Sequence, residues 1–506
     1  MNVNKETYTR YLMRLIGDRK PMTLGRGVLL AVTVFVVSFA VRSLHAVDLS
    51  PFTHTSAQPY VGLTDDYDRR AVSIVEGNGI LVPAIKNPAD TGLLSHAPGY
   101  SIYLSAIYAS FGRSFFTVQA VQNPLNSLTP VLIILYGGLL LSWRVGFAAG
   151  LCAAFSHHLA YYSNLILPDA LCALPIVVGV YLLTMSETDS QNEWIPFALA
   201  GLSLGLSAWL RPNGMLLPAF LGVMLVIVSV RRHRLIRRIA LLVGTSCLVI
   251  APITVRNYLI YREFVPIQIG TGLNLWEGIG ESSGERFGAV AKDEEVALQE
   301  AALYNNPDYG GWWASPDGIQ RDRDRVKKSL DIISRHPFWY SAVMLGRMRE
   351  MLKYSAYAPL VSRAQPQSST PVTMGDSENE KERVSRIALV PGESLSFLRP
   401  AVRVIQRVTK ETSLPFVLLG AVVLFSAHWR KGMLVAMAPL YYLLIQSSMH
   451  TEFRYVLPMH YFLFVFAGIV WVLIVGVLAA VLGRVARRFN LRKSEAAVTS
   501  GDVRPF

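Results

Sequence analysis

The sequence predicts an all-α protein that crosses a lipid bilayer about ten times. Of its 506 residues, 52% are hydrophobic and only 16% are charged, and the mean hydropathy is +0.35. This composition excludes an ordinary soluble protein. The apolar residues form blocks such as 27–47 and 456–482, which reach the roughly 20 residues that a helix needs to cross a bilayer core. The blocks lack the period-two alternation of a membrane β-barrel.

Basic residues at the ends of the apolar blocks orient the predicted helices. The formal net charge is +13, and basic clusters at residues 10–26, 231–238 and 484–493 flank apolar blocks. Cytoplasmic loops are rich in Lys and Arg, so all three clusters and both termini are predicted to be cytoplasmic. The sequence has no basic patch with interleaved aromatic residues of the kind that binds RNA or DNA, so we expect no nucleic-acid partner.

The predicted membrane helices follow one another closely along the first half of the chain. The first is 27–47, and it is expected to be a retained anchor because it lacks a small-residue cleavage site. Segment 98–111 is shorter than the roughly 17 residues of a membrane span, and a full span there would move residues 231–238 outside. We therefore expect a half-inserted helix and ten spans, with eleven as the alternative. The later spans are predicted at 116–141, 146–162, 169–185, 195–210, 215–230, 239–255 and three places after residue 414.

Polar segments divide the chain into regions. The predicted regions are a cytoplasmic segment 1–26, a transmembrane module 27–256 with an outer loop 48–97, an outer region 257–413, C-terminal membrane helices 414–482 and a cytoplasmic tail 483–506. Within the outer region, 337–353 is predicted to be an amphipathic interfacial helix. Residues 365–382 are rich in Pro, Ser, Thr and Glu and are expected to be mobile. The two outer segments and the turn at 450–454 are predicted to share one face.

Several polar side chains on that predicted face have both a structural and a functional interpretation. Asp65 and Asp66 open a predicted helix, where carboxylates stabilise the helix dipole. Arg211, Arg256 and Arg454 lie at outer helix ends, where an arginine either extends to the interface or binds a phosphate through two parallel hydrogen bonds. Arg42, within the first span, is expected to reach the outer surface rather than to bind substrate.

Short motifs occur in a recognisable order along the chain. They are Asp65-Asp66-Tyr67-Asp68-Arg69-Arg70-Ala71, Gly77-Asn78-Gly79, His96-Ala97-Pro98-Gly99-Tyr100, Leu167-Pro168-Asp169-Ala170-Leu171, Gly201 to Gly205 before Arg211-Pro212, Arg256-Asn257-Tyr258, and Glu452-Phe453-Arg454-Tyr455. This order resembles the GT-C superfamily of glycosyltransferases, in particular the bacterial branch similar to protein O-mannosyltransferases and aminoarabinose transferases. The chain departs from that pattern at Ala97-Pro98, where relatives have Pro-Pro, and at His96, where relatives often have Arg or Lys.

The resemblance implies a GT-C fold and an inverting transferase that moves a monosaccharide from a polyprenyl-phosphate donor to a hydroxyl of a lipid, glycan or protein. It implies that Asp65 or Asp66 is the general base. The implied ligands of the donor phosphate are Arg454, Arg256, Arg211 and His96. The residues implied to orient the substrates are Asp169, Glu452, His450, Tyr67 and Tyr100. The site is expected to face the periplasm from the plasma (inner) membrane.

Cofactor use stays open at this point. A single phosphate can be neutralised by arginine alone, the sequence has no zinc-like ligand spacing, and a divalent cation is the alternative. Two other functions are also weighed. A transporter or flippase of lipid-linked sugars predicts matching repeats in two halves, which the sequence lacks. A surface-polysaccharide polymerase or ligase would depend on outer-loop arginines and histidine rather than on the carboxylates of the first loop.

Overall fold

The computed structural model describes residues 23–49, 60–79, 90–188, 194–229, 235–354, 398–450 and 452–500. The predicted mobile stretch 365–382, the basic cluster at 231–234 and most of the N-terminal segment lie outside these residues. Within the described ranges the regular structure is helical, without strands.

The helices of the first half include α1 (Leu24–Leu49), α2 (Val61–Val75), α3 (Gly99–Phe111), α4 (Phe115–Leu140), α5 (Trp143–Phe155), α6 (His157–Asn164), α7 (Ala173–Thr188), α8 (Ile195–Leu210), α9 (Leu217–Val228) and α10 (Leu235–Tyr261). The second half contains α11 (Thr271–Ser283), α12 (Asp293–Leu303), α13 (Gly318–Arg335), α14 (Pro337–Leu352), α15 (Leu398–Ser447) and α16 (Leu457–Ser500).

Among the described residues, five helices are long and apolar enough to cross a membrane: α1, α4, α10, α15 and the segment Phe453–Val485 that contains the start of α16. Shorter apolar helices are α5, α7, α8 and the segment Pro212–Val228. His428 has non-helical backbone angles and divides α15 into two helices. The predicted fold class, an all-α polytopic membrane protein, is confirmed. The choice between ten and eleven spans stays a prediction.

Glycine allows the membrane helices to approach closely. A Cβ atom at Gly201 on α8 would collide with the Thr245 hydroxyl and the Leu242 carbonyl of α10, and one at Gly205 would lie 2.9 Å from the Ser246 carbonyl. The hydrophobic effect does not drive helices together within apolar lipid. Close van der Waals contact at small residues is therefore a main source of helix association in a bilayer. The α8–α10 pair thereby places the end of α8, where Arg211 lies, at a fixed position.

The polar segments are joined to each other at one end of the bundle. The Thr91 hydroxyl donates to the Ala314 carbonyl at 2.6 Å and accepts from the Gly318 N–H at 2.7 Å. The Ile269 N–H donates to the Leu94 carbonyl at 3.0 Å. The first loop is therefore part of one folded unit with the region between α10 and α14.

Arg42 does not reach the surface, so that expectation was wrong. Its side chain is fully buried within the bundle. Nε donates to the Ser163 hydroxyl at 3.1 Å, Nη1 to the Ser38 carbonyl at 3.3 Å and Nη2 to the Tyr461 hydroxyl at 3.4 Å. These oxygens come from its own helix and from two neighbouring helices, so the guanidinium has no need to extend toward water.

The glycine contact yields a stability prediction. Gly201→Ala is expected to lower the free energy of unfolding by about 1–3 kcal/mol, because the added Cβ would collide with the Leu242 carbonyl, a backbone group that cannot rotate away, as well as with the Thr245 hydroxyl. The measurement is the thermal midpoint of the detergent-solubilised protein. Gly244→Ala on α10 is the matched control, since no atom lies within 4 Å of its added Cβ. Equal midpoints for the two variants would contradict the packing argument.

Candidate active site

Arg454 has the most unusual hydrogen bonding at the polar end. It lies in a short 3-10 turn, Phe453–Val456, just before α16, and its side chain is buried. Nη2 donates to Glu452 Oε1 at 2.6 Å, and the guanidinium lies 4.1 Å above the ring of Tyr60. Nε and Nη1 are buried without a hydrogen-bond partner in the described part of the chain. Buried donors normally have partners, so these two N–H groups distinguish Arg454 from an arginine that only stabilises the fold.

Asp169 and Arg211 form a second charged pair beside it. Asp169 is buried, its Oδ1 accepts from Arg211 Nε at 2.8 Å and also from Nη2, and its Oδ2 has no partner among the described residues. The Arg211 guanidinium lies 4.8 Å from the centre of the Tyr455 ring, and that of Arg454 lies 5.0 Å from it. The two arginines therefore share one aromatic neighbour. The Asp169 carboxylate also lies close enough to Arg454 to interact with it electrostatically.

Asp66 connects α2 to this group. Its Oδ2 accepts from Arg70 Nε at 2.9 Å and lies 3.5 Å from His96 Nε2, while Oδ1 accepts from Arg69 at 3.1 Å. Arg70 also donates to the carbonyls of residues 92 and 93, at 2.9 Å and 3.1 Å. Asp66 is thereby fixed against the loop that carries His96.

Asp65 has different surroundings. It is partly exposed and makes no hydrogen bond or ion pair within the described residues. Burial and the neighbouring Asp68 raise the pKa of its carboxyl group. Asp68 itself accepts from the Tyr108 hydroxyl at 2.7 Å and from Arg113 Nε at 3.2 Å. Consecutive helical residues point in different directions, so the two candidate bases face different groups.

His96 and the two tyrosines line the space between α2 and α3. Burial, together with Arg70, Arg211 and Arg454, lowers the pKa of His96 well below its ordinary value, so its contact with Asp66 involves a neutral ring. Tyr67 lies 5.2 Å from the His96 ring and 5.2 Å from the Tyr100 ring. Burial raises the pKa of Tyr67 to about 12. The Tyr100 hydroxyl donates to Gln122 Oε1 at 2.9 Å, which directs it into the bundle.

His450 is held between two carboxylates. Its Nδ1 lies 2.8 Å from Glu281 Oε1 and its Nε2 lies 3.8 Å from Glu452 Oε1. Burial opposes protonation, but the hydrogen bonds with Glu281 and Glu452 outweigh it and raise the pKa of His450 to about 10. Burial acts against ionisation of Glu452 too, and His450 and Arg454 nevertheless hold its pKa well below the usual range. His450 is therefore an imidazolium at neutral pH.

The turn that carries these residues is attached to α11 and α14. Arg347 donates to the Ser447 and Met449 carbonyls at 3.1 Å and 2.8 Å, and it also donates to the Gly278 carbonyl. A Cβ atom at Gly278 would lie 2.7 Å from the His450 backbone nitrogen. Tyr60, Glu281 and Arg347 were not predicted as site residues, because no motif or spacing connects them to residues 450–454.

Arg256 is not part of this group. Its Nε and Nη2 both donate to Asn257 Oδ1, at 2.9 Å and 2.6 Å. Its ionisable neighbours are Tyr261 and Arg70. The structure therefore brings together Asp66, His96, Asp169, Arg211 and Arg454, with Tyr67, His450 and Glu452 at the margins, and leaves Arg256 and Asp65 facing elsewhere. Within the described ranges, no group of three or more His, Cys, Asp or Glu side chains is arranged to hold a metal ion.

Comparison with protein families identifies the segment that contains His96, Asp169 and Arg211. Residues 95–255 match the dolichyl-phosphate-mannose-protein mannosyltransferase family. The match confirms the resemblance noted from the motifs and supports glycosyltransferase activity as the general class of function. The matched segment ends just before Arg256, and neither α2 nor the 450–455 turn lies within it. A search of curated protein sequences gave no match.

Comparison with solved structures gives matches of low sequence identity, with TM-scores below 0.5. The apo oligosaccharyltransferase of Archaeoglobus fulgidus has a TM-score of 0.46 and 11% identity; the alignment covers 92% of this chain and 52% of that protein. ArnT from Cupriavidus metallidurans, bound to undecaprenyl phosphate, has a TM-score of 0.36 and 14% identity, with coverage of 88% and 77%. The archaeal oligosaccharyltransferase AglB, in complex with an inhibitory peptide and a dolichol-phosphate, has a TM-score of 0.41, 12% identity and coverage of 94% and 52%. The chain thus spans about half the length of the archaeal enzyme.

The ion pairs of His450 yield a pH prediction. A raised folded-state pKa means that the imidazolium stabilises the fold fully below about pH 6.5 and that this contribution disappears as the pH rises through about 10. The difference in thermal midpoint between wild type and His450→Gln is therefore expected to be largest at acidic pH and to vanish above about pH 10. The measurement is a series of thermal melts across this range. A difference that grows with pH would exclude a charged His450.

Proposed function

We propose that the protein transfers a monosaccharide from a polyprenyl-phosphate donor to an acceptor hydroxyl, with inversion, at the outer face of the plasma membrane. The observation that carries the proposal is the buried guanidinium of Arg454, whose Nε and Nη1 have no hydrogen-bond partner among the described residues. The family match supports a sugar transfer. The basic clusters of the sequence support the orientation, since they lie on the loops predicted to be cytoplasmic.

Arg454 suits the leaving group of such a reaction. Cleavage of the donor transfers the bonding electrons to a phosphate oxygen, and this charge must be stabilised in the transition state. Two free N–H groups on one planar guanidinium match two phosphate oxygens. Arg211, beside the same Tyr455 ring, adds a second cation, and Asp169 fixes its orientation.

Asp66 is the better placed of the two candidate bases. An inverting transfer forms the acceptor O–C1 bond as the C1–O bond to phosphate breaks, and the acceptor proton passes to a carboxylate. Asp66 contacts His96, and the ionisable neighbours of His96 include Arg211 and Arg454. Asp65 instead neighbours Asp68 and Arg113, on another side of α2. The carboxylate that faces the phosphate ligands is therefore that of Asp66.

The other polar groups suit the two substrates. His96 is neutral and acts as a hydrogen-bond donor rather than as a counter-charge. Asp169 Oδ2 has no hydrogen-bond partner among the described residues, so it can accept a hydrogen bond from a hydroxyl of the sugar or of the acceptor molecule. Tyr67 is buried and packs against the His96 ring, so it helps to hold His96 in position. The proposal leaves the sugar, and the choice among lipid, glycan and protein acceptors, to experiment.

The base assignment yields the first functional prediction. Asp66→Asn is expected to lower kcat by roughly 10²- to 10⁴-fold, because the amide cannot take the acceptor proton. Asp65→Asn, the matched control on the neighbouring residue, is expected to keep most of the activity. The measurement is transfer of labelled sugar from a polyprenyl-phosphate donor to endogenous acceptors in membranes.

Two outcomes of this assay would overturn the assignment. Full activity of Asp66→Asn with an inactive Asp65→Asn would move the base to Asp65. Full activity of both with an inactive Asp169→Asn would move it to Asp169. If the wild type transfers no sugar but carries the label across vesicle membranes, the transporter interpretation replaces the proposal.

The assignment of Arg454 as a ligand of the donor phosphate yields the second functional prediction. Arg454→Gln is expected to weaken donor binding by roughly 10- to 100-fold, the effect of losing charged hydrogen bonds worth about 1.5–3 kcal/mol. The measurement is the Kd of the donor for the purified protein. The control is Arg335→Gln, which removes an exposed arginine paired with Asp331. Unchanged donor binding by Arg454→Gln would contradict the proposed phosphate contact, and a loss confined to Arg256→Gln would restore the role that the sequence motif implied for Arg256.

A further inference from the structure

A second polar cluster lies inside the helical bundle, next to the candidate active site. We call it the Arg42 cluster. It consists of Arg42 and His45 on α1, His157 and His158 on α6, Tyr354 after α14, and His460 on α16. All six side chains are buried. The mannosyltransferase resemblance and the proposed reaction use none of them.

Arg42 has no carboxylate partner among the described residues. The groups that accept its hydrogen bonds are the neutral oxygens of Ser38, Ser163 and Tyr461. Its ionisable neighbours are Tyr461 and Tyr354. Charged residues at membrane depth are almost always paired, because an uncompensated charge in a low-dielectric interior is strongly unfavourable. The charge of Arg42 therefore calls for an anion that is not part of the described chain.

The histidines supply free hydrogen-bonding atoms around it. His45 Nδ1 and the Nε2 atoms of His157, His158 and His460 are buried and have no hydrogen-bond partner in the part of the chain that the structure describes. The rings are close together: the centroids of His157 and His158 lie 3.7 Å apart, and Tyr354 lies 4.5 Å from His158 and 5.0 Å from His460. No set of three or more of these side chains within the described residues converges as metal ligands. A ligand with several acceptor oxygens fits these donors better than a metal ion.

Phe453 separates the cluster from the candidate active site. Its ring lies 4.4 Å from that of His158 and 4.8 Å from that of His460, and the next residue is Arg454. The histidine side of the Arg42 cluster is therefore separated from the turn that carries Arg454 by one aromatic ring.

The cluster also lies close to the surface expected to contact lipid. Gln406 of α15 is buried, and its Nε2 lies 3.1 Å from Nε2 of His45. Val404 and Val408, on the same helix, are 63% and 42% exposed. One helix thus separates the cluster from the bilayer. An anion attached to a lipid chain fits this position better than an anion free in water.

We propose that the Arg42 cluster binds a phosphate monoester carried on a polyprenyl chain, as a second site for the lipid carrier after sugar transfer. Arg42 supplies the positive charge, and His45, His158 and His460 donate neutral hydrogen bonds to the phosphate oxygens. The inference rests on the proposed function, because that reaction produces such a carrier beside Phe453.

The test counts bound lipids on the full-length protein. Native mass spectrometry of the detergent-solubilised chain with undecaprenyl phosphate is expected to show two bound lipids for the wild type. Arg42→Gln and Arg454→Gln are each expected to show one, and the control Arg335→Gln is expected to show two. If Arg42→Gln does not elute as a monodisperse species, His460→Gln replaces it. In that variant the second lipid is expected to bind roughly 3- to 10-fold more weakly, the effect of one lost hydrogen bond.

The outcomes separate this inference from the proposed function. A single lipid that is lost only in Arg454→Gln overturns the Arg42 site and leaves the proposed function intact. A single lipid lost only in Arg42→Gln supports the site and removes the Arg454 contact, and no bound lipid overturns both. Inorganic phosphate tests the source of the anion: if it binds in an Arg42-dependent way and excludes the lipid, the lipid-linked assignment is wrong. Arg42-dependent lipid binding that excess inorganic phosphate leaves unchanged supports it.

Discussion

The position of Arg454 depends on the hydrogen bonds that Arg347 makes to the turn between α15 and α16. One guanidinium binds the carbonyls of Ser447 and Met449 on the turn and that of Gly278 on α11. A loop that ends a membrane helix would otherwise have unpaired carbonyls and several accessible conformations. Arg347 removes both problems at once. The position of the Arg454 guanidinium in the site is therefore set by the guanidinium of Arg347, which lies outside the site.

The charged groups of the site are balanced except where a substrate is proposed to bind. Asp169 pairs with Arg211, and Glu452 pairs with both His450 and Arg454. Such pairing is needed because burial of an unpaired charge is strongly unfavourable. Within the described ranges, two donors of Arg454 and one oxygen of Asp169 have no hydrogen-bond partner. Since these atoms are already desolvated and oriented, binding of a phosphate and a hydroxyl requires little reorganisation of the protein.

Local patterns predicted the helices well, because hydrophobic length and periodicity are properties of contiguous residues. A helix is predicted at 337–353, and α14 spans Pro337–Leu352; its amphipathic, interfacial character stays a prediction. Motif order also indicated Asp66, His96, Asp169, Arg211 and Arg454, which the fold brings together. The sequence did not distinguish Asp65 from Asp66. Adjacent residues of a helix point in different directions, and only the packing of α2 decides which of the two faces the site.

Pairings between distant parts of the chain were not predictable in the same way. Glu281 and His450 are far apart in sequence, and no spacing rule connects an α11 carboxylate to that turn. Arg42 was expected at the surface because an isolated helix offers it no partner. The structure surrounds it with hydroxyl and carbonyl oxygens from its own helix and from α6 and α16. Arg256 lies in a family-like motif, yet its Nε and Nη2 both donate to the side chain of the neighbouring Asn257.

The close approach of α11 to the His450 turn has a consequence for how the protein tolerates change. At Gly278 there is no room for even one methyl group between the helix and the backbone of His450. A variant at this position removes no charge and no polar atom, and it lies far along the chain from Arg454. It would nevertheless push the turn outward and move the guanidinium. Loss of function can thus arise from an added carbon at a residue that carries no chemistry of its own.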